Sequence, residues 1–234
     1  MNVLVIGDEH TYGYGLPEGN LSYIGHFIRN ISRAGRAVSV EAYAHLTMAQ
    51  TTATLAQLPL NRYDLIILQL DHTLIQTATA PATHSLGVAI PVFPASNALR
   101  RKLGARKIID QVTILKNSLL SFIFPNRATS SISVLLNQLR PYRHNVLLLT
   151  PFSSLVPISE WLRRRSRAVL LREADKRLVS VFDTDAVIRP REEYFLPNDM
   201  EHLNAVSHEL LGRSLFDFYQ SAPTIVTIQA FRRE

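Results

Sequence analysis

The stretch Val3-Leu4-Val5-Ile6-Gly7-Asp8-Glu9-His10-Thr11-Tyr12-Gly13-Tyr14-Gly15-Leu16 decides the fold. It opens on four apolar residues with no polar residue between them, the pattern of a strand buried on both faces. Gly7 ends the run, and Asp8, Glu9 and His10 follow at once. In parallel α/β sheets, ligands bind beyond the carboxyl ends of the strands, so chemistry is expected where the apolar run stops.

Four further apolar runs lie at 38–43, 65–70, 146–150 and 179–182, again rich in Val, Ile and Leu. Between the first two runs, Leu21, Ile24, Phe27, Ile28 and Ile31 recur at helical spacing, with Asn20 placed as N-cap and Gly35 as stop. After the last run, Val206, Leu210, Leu211, Leu215 and Phe218 predict a C-terminal helix. Alternating strands and helices predict a three-layer α/β/α domain with about five parallel strands. The 234 residues suffice for one sizeable core, and one domain over 1–234 is expected.

The rhythm breaks at about 81–143. A loop with Pro91 and Pro94 leads into a long helical pattern (Leu99, Leu103, Ile108, Val112, Leu115, Leu119, Ile123), which Pro125 ends; a second short helix is expected to run to Arg140. This is read as an α-helical insertion serving as lid, dimer surface or docking surface, with homo-oligomer formation through it as one outcome. It is basic: from His72 to Ser159 the only acid is Asp110, and the net charge of the whole chain is +6. A solvated face is the plainest reading of this charge, beside an anionic ligand or acidic partner. Nucleic acid is not expected, because no aromatic stacking surface accompanies the charge. Membrane is not expected either: no apolar run reaches the ~18 residues of a span, and the basic helix is better placed over the sheet or against a second subunit. The absence of cysteine excludes disulfides and thiolate chemistry. With no basic leader before the first strand, a cytoplasmic protein is expected.

The opening stretch resembles the first block of the SGNH/GDSL hydrolases: an apolar strand, then Gly-Asp-Ser, with Thr and glycines following. Gly7, Asp8, Thr11, Gly13 and Gly15 fit, while Glu9 stands at the serine position. Near the other end, Asp199-Met200-Glu201-His202-Leu203-Asn204 resembles the family's last block, Asp-x-x-His before a C-terminal helix. The resemblance implies a flavodoxin-like SGNH hydrolase fold and places His202 as base, Asp199 as its orienting carboxylate and Glu9 at the nucleophile position. It also implies an oxyanion hole made from the nucleophile's backbone N–H, a glycine after the second strand and an asparagine after the third. Here residues 43–49 contain no glycine, and Gln69-Leu70-Asp71-His72 replaces the expected Gly and Asn. Gln69 and His72 are candidate donors, and Thr47 is a candidate binding residue.

A hydroxyl is a poor nucleophile until a base takes its proton, and losing a triad nucleophile costs about a million-fold in rate. Each lost oxyanion donor costs about another hundred- to thousand-fold. The first expectation is therefore a hydrolase-like protein without standard serine-esterase activity, binding a small-molecule ligand or a partner. A Glu9–His202 salt bridge would satisfy both groups. The alternative is an active hydrolase of acyl esters, carbohydrate- or lipid-linked, using His202 and Asp199 with a non-serine nucleophile or activated water. Ser153 and Ser154 are the nearby hydroxyls, with an ordinary loop role expected. No cofactor and no metal are expected: Asp8, Glu9, His10, His72 and His202 lack ligand spacing such as His-x-x-x-His. Trp161 is expected to begin a helix and pack, and Arg163-Arg164-Arg165 to form a solvated face.

Overall fold

The computed structural model describes residues 1–70 and 125–221. Five strands form one parallel sheet: β1 (Asn2–Gly7), β2 (Ser39–Ala44), β3 (Leu65–Gln69), β4 (Val146–Leu149) and β5 (Ser180–Phe182), in the order β2-β1-β3-β4-β5. Each expected apolar run became a strand, with boundaries moved by a residue or two. The helices are α1 (Glu9–Tyr12), α2 (Tyr23–Arg33), α3 (Met48–Gln57), α4 (Pro125–Leu139), α5 (Pro157–Asp175) and α6 (Ala205–Ser221).

The unbroken apolar character of β1, β3 and β4 follows from burial on both sides, whereas the edge strand β2, with Glu41 in it, is largely exposed instead of buried on both faces as expected, and β5 is only partly buried. Alternate side chains point to opposite faces. Leu4, Ile6, Ile66, Leu68, Val146 and Leu148 enter a core closed by Leu55 of α3, Ile132, Leu135 and Leu136 of α4, and Leu170 of α5. Val3, Val5, Leu65, Ile67, Leu147 and Leu149 enter a second core closed by Tyr23, Phe27 and Ile31 of α2 and Leu211 and Leu215 of α6. The expected three-layer α/β/α architecture is therefore the observed one. Within the 81–143 stretch, α4 belongs to a layer that covers the sheet; the long basic pattern from Leu99 to Ile123 lies outside the described residues.

Helix α2 is capped by Ser22, whose hydroxyl accepts the Gly25 N–H at 3.2 Å, rather than by Asn20. Gly35 sits just past the helix with φ +84, the left-handed conformation that glycine adopts without steric cost. Helices α2 and α6 meet at Gly212. A Cβ there would lie 2.4 Å from His26 Cβ and 2.6 Å from the Tyr23 carbonyl oxygen. Because the Tyr23 obstacle is backbone, the helices must separate to accept it. Gly212→Ala is expected to destabilise the fold by about 2–3 kcal/mol despite its better helix propensity. A urea midpoint equal to the parent's would show that the helices part freely.

The first residue of the 163–165 triplet departs from the solvated face expected of it. Arg163 is 1% exposed. Its guanidinium holds Glu160 through two 2.6 Å bonds and Asp185 at 2.6 Å, and reaches the Pro151 carbonyl at 3.4 Å. Arg164 does lie outside, bonded to Glu160 at 2.7 Å. Arg167 adds an ion pair with Asp183. Trp161 lies more than one turn into α5 and is half exposed, with Arg165 6.0 Å over its ring, rather than packed inside.

Candidate active site

The strand order reverses direction between β1 and β3, and in parallel sheets ligands bind beyond the carboxyl ends of the strands at such a switch point. Gly7 ends β1 there. A Cβ on Gly7 would overlap Thr11 Oγ1 at 2.0 Å, so only glycine lets the chain turn this tightly into α1. Asp8 caps α1, its Oδ1 accepting the His10 N–H at 2.9 Å. Its other oxygen accepts from Gln69 Nε2 at 2.8 Å, while Gln69 Oε1 accepts the Asp8 N–H at 3.0 Å. This two-way bond locks the end of β1 to the end of β3. Gln69, a candidate oxyanion donor in the sequence, thus has its amide committed to Asp8. Thr47 is committed as well: it caps α3 in a reciprocal capping box with Gln50. His72 lies outside the described residues.

Asp199 and His202 come from the loop between β5 and α6. An isolated antiparallel bridge joins Phe195 to Leu203, and the Leu196 N–H bonds the His202 carbonyl at 2.9 Å. Asn204 pins the loop base by donating to the Glu193 and Phe195 carbonyls. Inside this frame, Asp199 Oδ1 accepts the backbone N–H groups of Glu201 and His202 at 2.9 and 3.0 Å. Its Oδ2 takes His202 Nδ1 at 2.7 Å. Burial alone would raise the Asp199 pKa, but these backbone donors and the His202 charge hold it below the ordinary carboxylate value. The loop is tied to its neighbour where the Leu155 N–H meets the Met200 carbonyl at 2.8 Å.

The structure brings the two ends of the chain together here. Glu9 Oε1 lies 3.1 Å from His202 Nε2. The contact is an ion pair between the imidazole and the carboxylate. His202 is 13% exposed in its side chain, Glu9 45%. Burial would lower the imidazole pKa; the Glu9 and Asp199 carboxylates on either side overcome this and push it up to about 9.

Aromatic rings wall the imidazole. Tyr14 lies 4.6 Å from it and His10 5.6 Å, with Phe152 edge-on to His10. The loop after β2, where the resemblance implies a glycine, holds His45 at φ 52. The left-handed backbone is present even though glycine is absent, and the His45 ring stacks on Tyr12. Tyr14 is not marked in the sequence except by the Gly13-Tyr14-Gly15 spacing, whereas His45 is marked by its place just past the second strand, where ligands bind in parallel α/β sheets. Ser153 Oγ is buried and donates to the Ile188 carbonyl at 3.0 Å; Ser154 Oγ accepts the Val156 N–H and faces the Met200 carbonyl. Both serines serve the loop. Among the described residues, no group of three His, Asp or Glu side chains is arranged to hold a metal.

The described architecture matches solved lipases and acetylesterases over nearly the whole chain. The lipase Lip_vut3 from a goat rumen metagenome superposes with a TM-score of 0.59 at 17% identity, covering 92% of this chain and 95% of that one. A catalytic mutant of an acetylxylan esterase from Geobacillus stearothermophilus gives 0.58 at 13% identity, covering 92% of each. The lipase/acylhydrolase from Enterococcus faecalis gives 0.56 at 15%, covering 93% and 94%. The fold is that of the SGNH hydrolases. No family model and no curated protein sequence matches the chain. At these identities the likeness establishes the SGNH hydrolase fold and leaves the chemistry to the site itself. Among the described residues, no helix of this SGNH-like domain is long and apolar enough to cross a membrane.

Proposed function

We propose that this protein is a ligand-binding member of the SGNH hydrolase fold whose serine-esterase chemistry is disarmed at Glu9. One observation carries the reading: the ring nitrogen that would accept a nucleophile's proton, His202 Nε2, faces the Glu9 carboxylate at 3.1 Å. Flanked by two carboxylates and with its pKa pushed up to about 9, the imidazole holds its proton at neutral pH. A protonated imidazole is no general base, and a triad needs a neutral one. Glu9 itself is a poor replacement nucleophile, since a carboxylate attacking an unactivated ester must form a less stable anhydride. Tyr14 and Glu9 are half exposed beside the imidazole. The site suits a small ligand that donates hydrogen bonds to carboxylate oxygen and stacks on an aromatic ring.

The deciding experiment assays the purified protein, Glu9→Ser and His202→Ala against short acyl esters at pH 7.5. The parent is expected to match the buffer rate. Glu9→Ser is expected to gain turnover of at least about tenfold over the parent, because it restores a hydroxyl and releases the His202 base. Parent turnover that disappears in His202→Ala would sink the binding reading.

A further inference from the structure

The geometry points to a second binding site, remote from the cleft and specific for a phosphate group carried by a small molecule. It lies where α4 passes into β4, at the amino ends of the strands, whereas Glu9 and His202 stand beyond their carboxyl ends. A depression of about 450 Å³ is lined by Asn137, Arg140, Pro141, Arg143 and His144. Every polar side chain in this lining is a hydrogen-bond donor or can become one on protonation, and none is acidic. Neither Arg140 nor Arg143 makes a side-chain hydrogen bond or ion pair among the described residues. Most arginines of the adjoining layer behave differently: Arg163, Arg164, Arg167, Arg172 and Arg177 face carboxylates, and Arg165 stacks over Trp161.

The frame that carries these donors is rigid. Arg140–Tyr142 is a single tight helical turn containing Pro141, and the Arg143 N–H closes on the Arg140 carbonyl. Asn145 then anchors the turn to the sheet: its Nδ2 donates to the Tyr63 carbonyl at 3.1 Å, and its carbonyl accepts the Ile66 N–H at 2.7 Å. Asn137 is oriented by Arg177, whose Nε donates to Asn137 Oδ1 at 2.8 Å. That bond uses the acceptor end of the amide and leaves its NH₂ end as a further donor. Two guanidiniums, an imidazole and an amide on a fixed turn match the oxygens of a tetrahedral dianion, which guanidinium binds through paired donors. The volume exceeds what a bare phosphate fills and leaves room for the rest of a small phosphorylated ligand.

Inorganic phosphate is the probe, titrated at constant ionic strength against sodium chloride and followed by amide chemical shifts and calorimetry. Saturable binding with a dissociation constant of about 1 mM or tighter is expected, with shifts centred on residues 137–145. The Arg140→Gln/Arg143→Gln double variant is expected to bind at least about tenfold more weakly, with an unchanged melting temperature because these side chains bond nothing among the described residues. Absence of saturation in the parent, equal affinity in the double variant, or equal binding of acetate would overturn the site. So would salt-sensitive binding of a short RNA, lost in the double variant, without saturable phosphate binding. These results are independent of the esterase assays at Glu9.

Discussion

Replacing Arg163 with methionine should lower the free energy of unfolding by about 3–4 kcal/mol, the largest effect of any single substitution considered in this protein. Arg163 is fully buried, and its partners are a Glu160 side chain only 11% exposed and an Asp185 side chain 28% exposed. Methionine fills much of the same volume, so little of the loss comes from packing. The cost arises because both carboxylates lose their buried partner and keep only more exposed ones, Arg164 on Glu160 and Arg167 on Asp185. Water reaching Asp185 keeps the figure toward the lower end of the range for broken buried pairs. Glu160 also accepts the Ser154 N–H at 3.2 Å, next to Leu155, whose N–H holds Met200. The loop that presents Asp199 and His202 should therefore loosen along with the global fold. Urea unfolding measures the first effect, and the His202 ring resonances report the second. A triple replacement of Glu160, Arg163 and Asp185 by apolar residues should recover most of the loss, since it leaves no orphaned charge. A loss below about 1 kcal/mol for the single change would mean that water enters the cluster freely.

The second large effect concerns Glu9 and pH. The His202 pKa lies above its ordinary value of 6.5, at about 9. A raised folded-state pKa means the folded protein binds the proton more tightly than the unfolded chain. The associated stability is complete below the unfolded pKa near 6.5 and is lost as pH rises through about 9. Taken at face value the shift corresponds to about 3 kcal/mol; screening at the half-exposed Glu9 reduces this to about 1–2 kcal/mol. Glu9→Gln keeps the shape and removes the charge. The His202 pKa is then expected to fall by at least about one pH unit, with Asp199 still supporting the protonated ring. Ring-proton NMR titrations give the pKa directly. Thermal melts from pH 6.5 to 9 should decline more steeply in the parent than in Glu9→Gln, and comparison of the two cancels other groups that titrate in the same range. An unaltered His202 pKa would assign the elevation to Asp199 alone and remove the reason for regarding Glu9 as the group that disarms the base.

The central strands β1, β3 and β4 were legible because burial on both faces leaves an unbroken apolar run. The meeting of Glu9 with Asp199 and His202 was legible only through the resemblance of two short blocks, since no local spacing joins residues nearly two hundred positions apart. Gln69 was harder. As a polar residue ending an apolar strand it reads as a site donor, but its amide faces Asp8 on the neighbouring strand, a pairing set by the register of β1 and β3. Arg163 shows a signal that was present and passed over. Glu160, Arg163, Ser166, Leu170 and Glu173 follow helical spacing and are all buried, so Arg163 belongs to the inward stripe of α5 although its neighbours in the triplet do not.

By itself, the sequence determined about five strands, helices at 21–35, before the fourth strand, around Trp161 and at the C-terminal end, and the placing of ionisable residues just past the strand ends; it did not mark α3. These follow from periodicity and turn chemistry, which act within a few residues. Only the tertiary structure decided the raised pKa of His202, the fate of Gln69 and Thr47, the burial of Arg163, and the absence of a side-chain partner for Arg140 and Arg143 among the described residues. Each of these depends on which charge or backbone group arrives from a distant segment, and electrostatic energy is governed by that distance and by the water excluded between the groups.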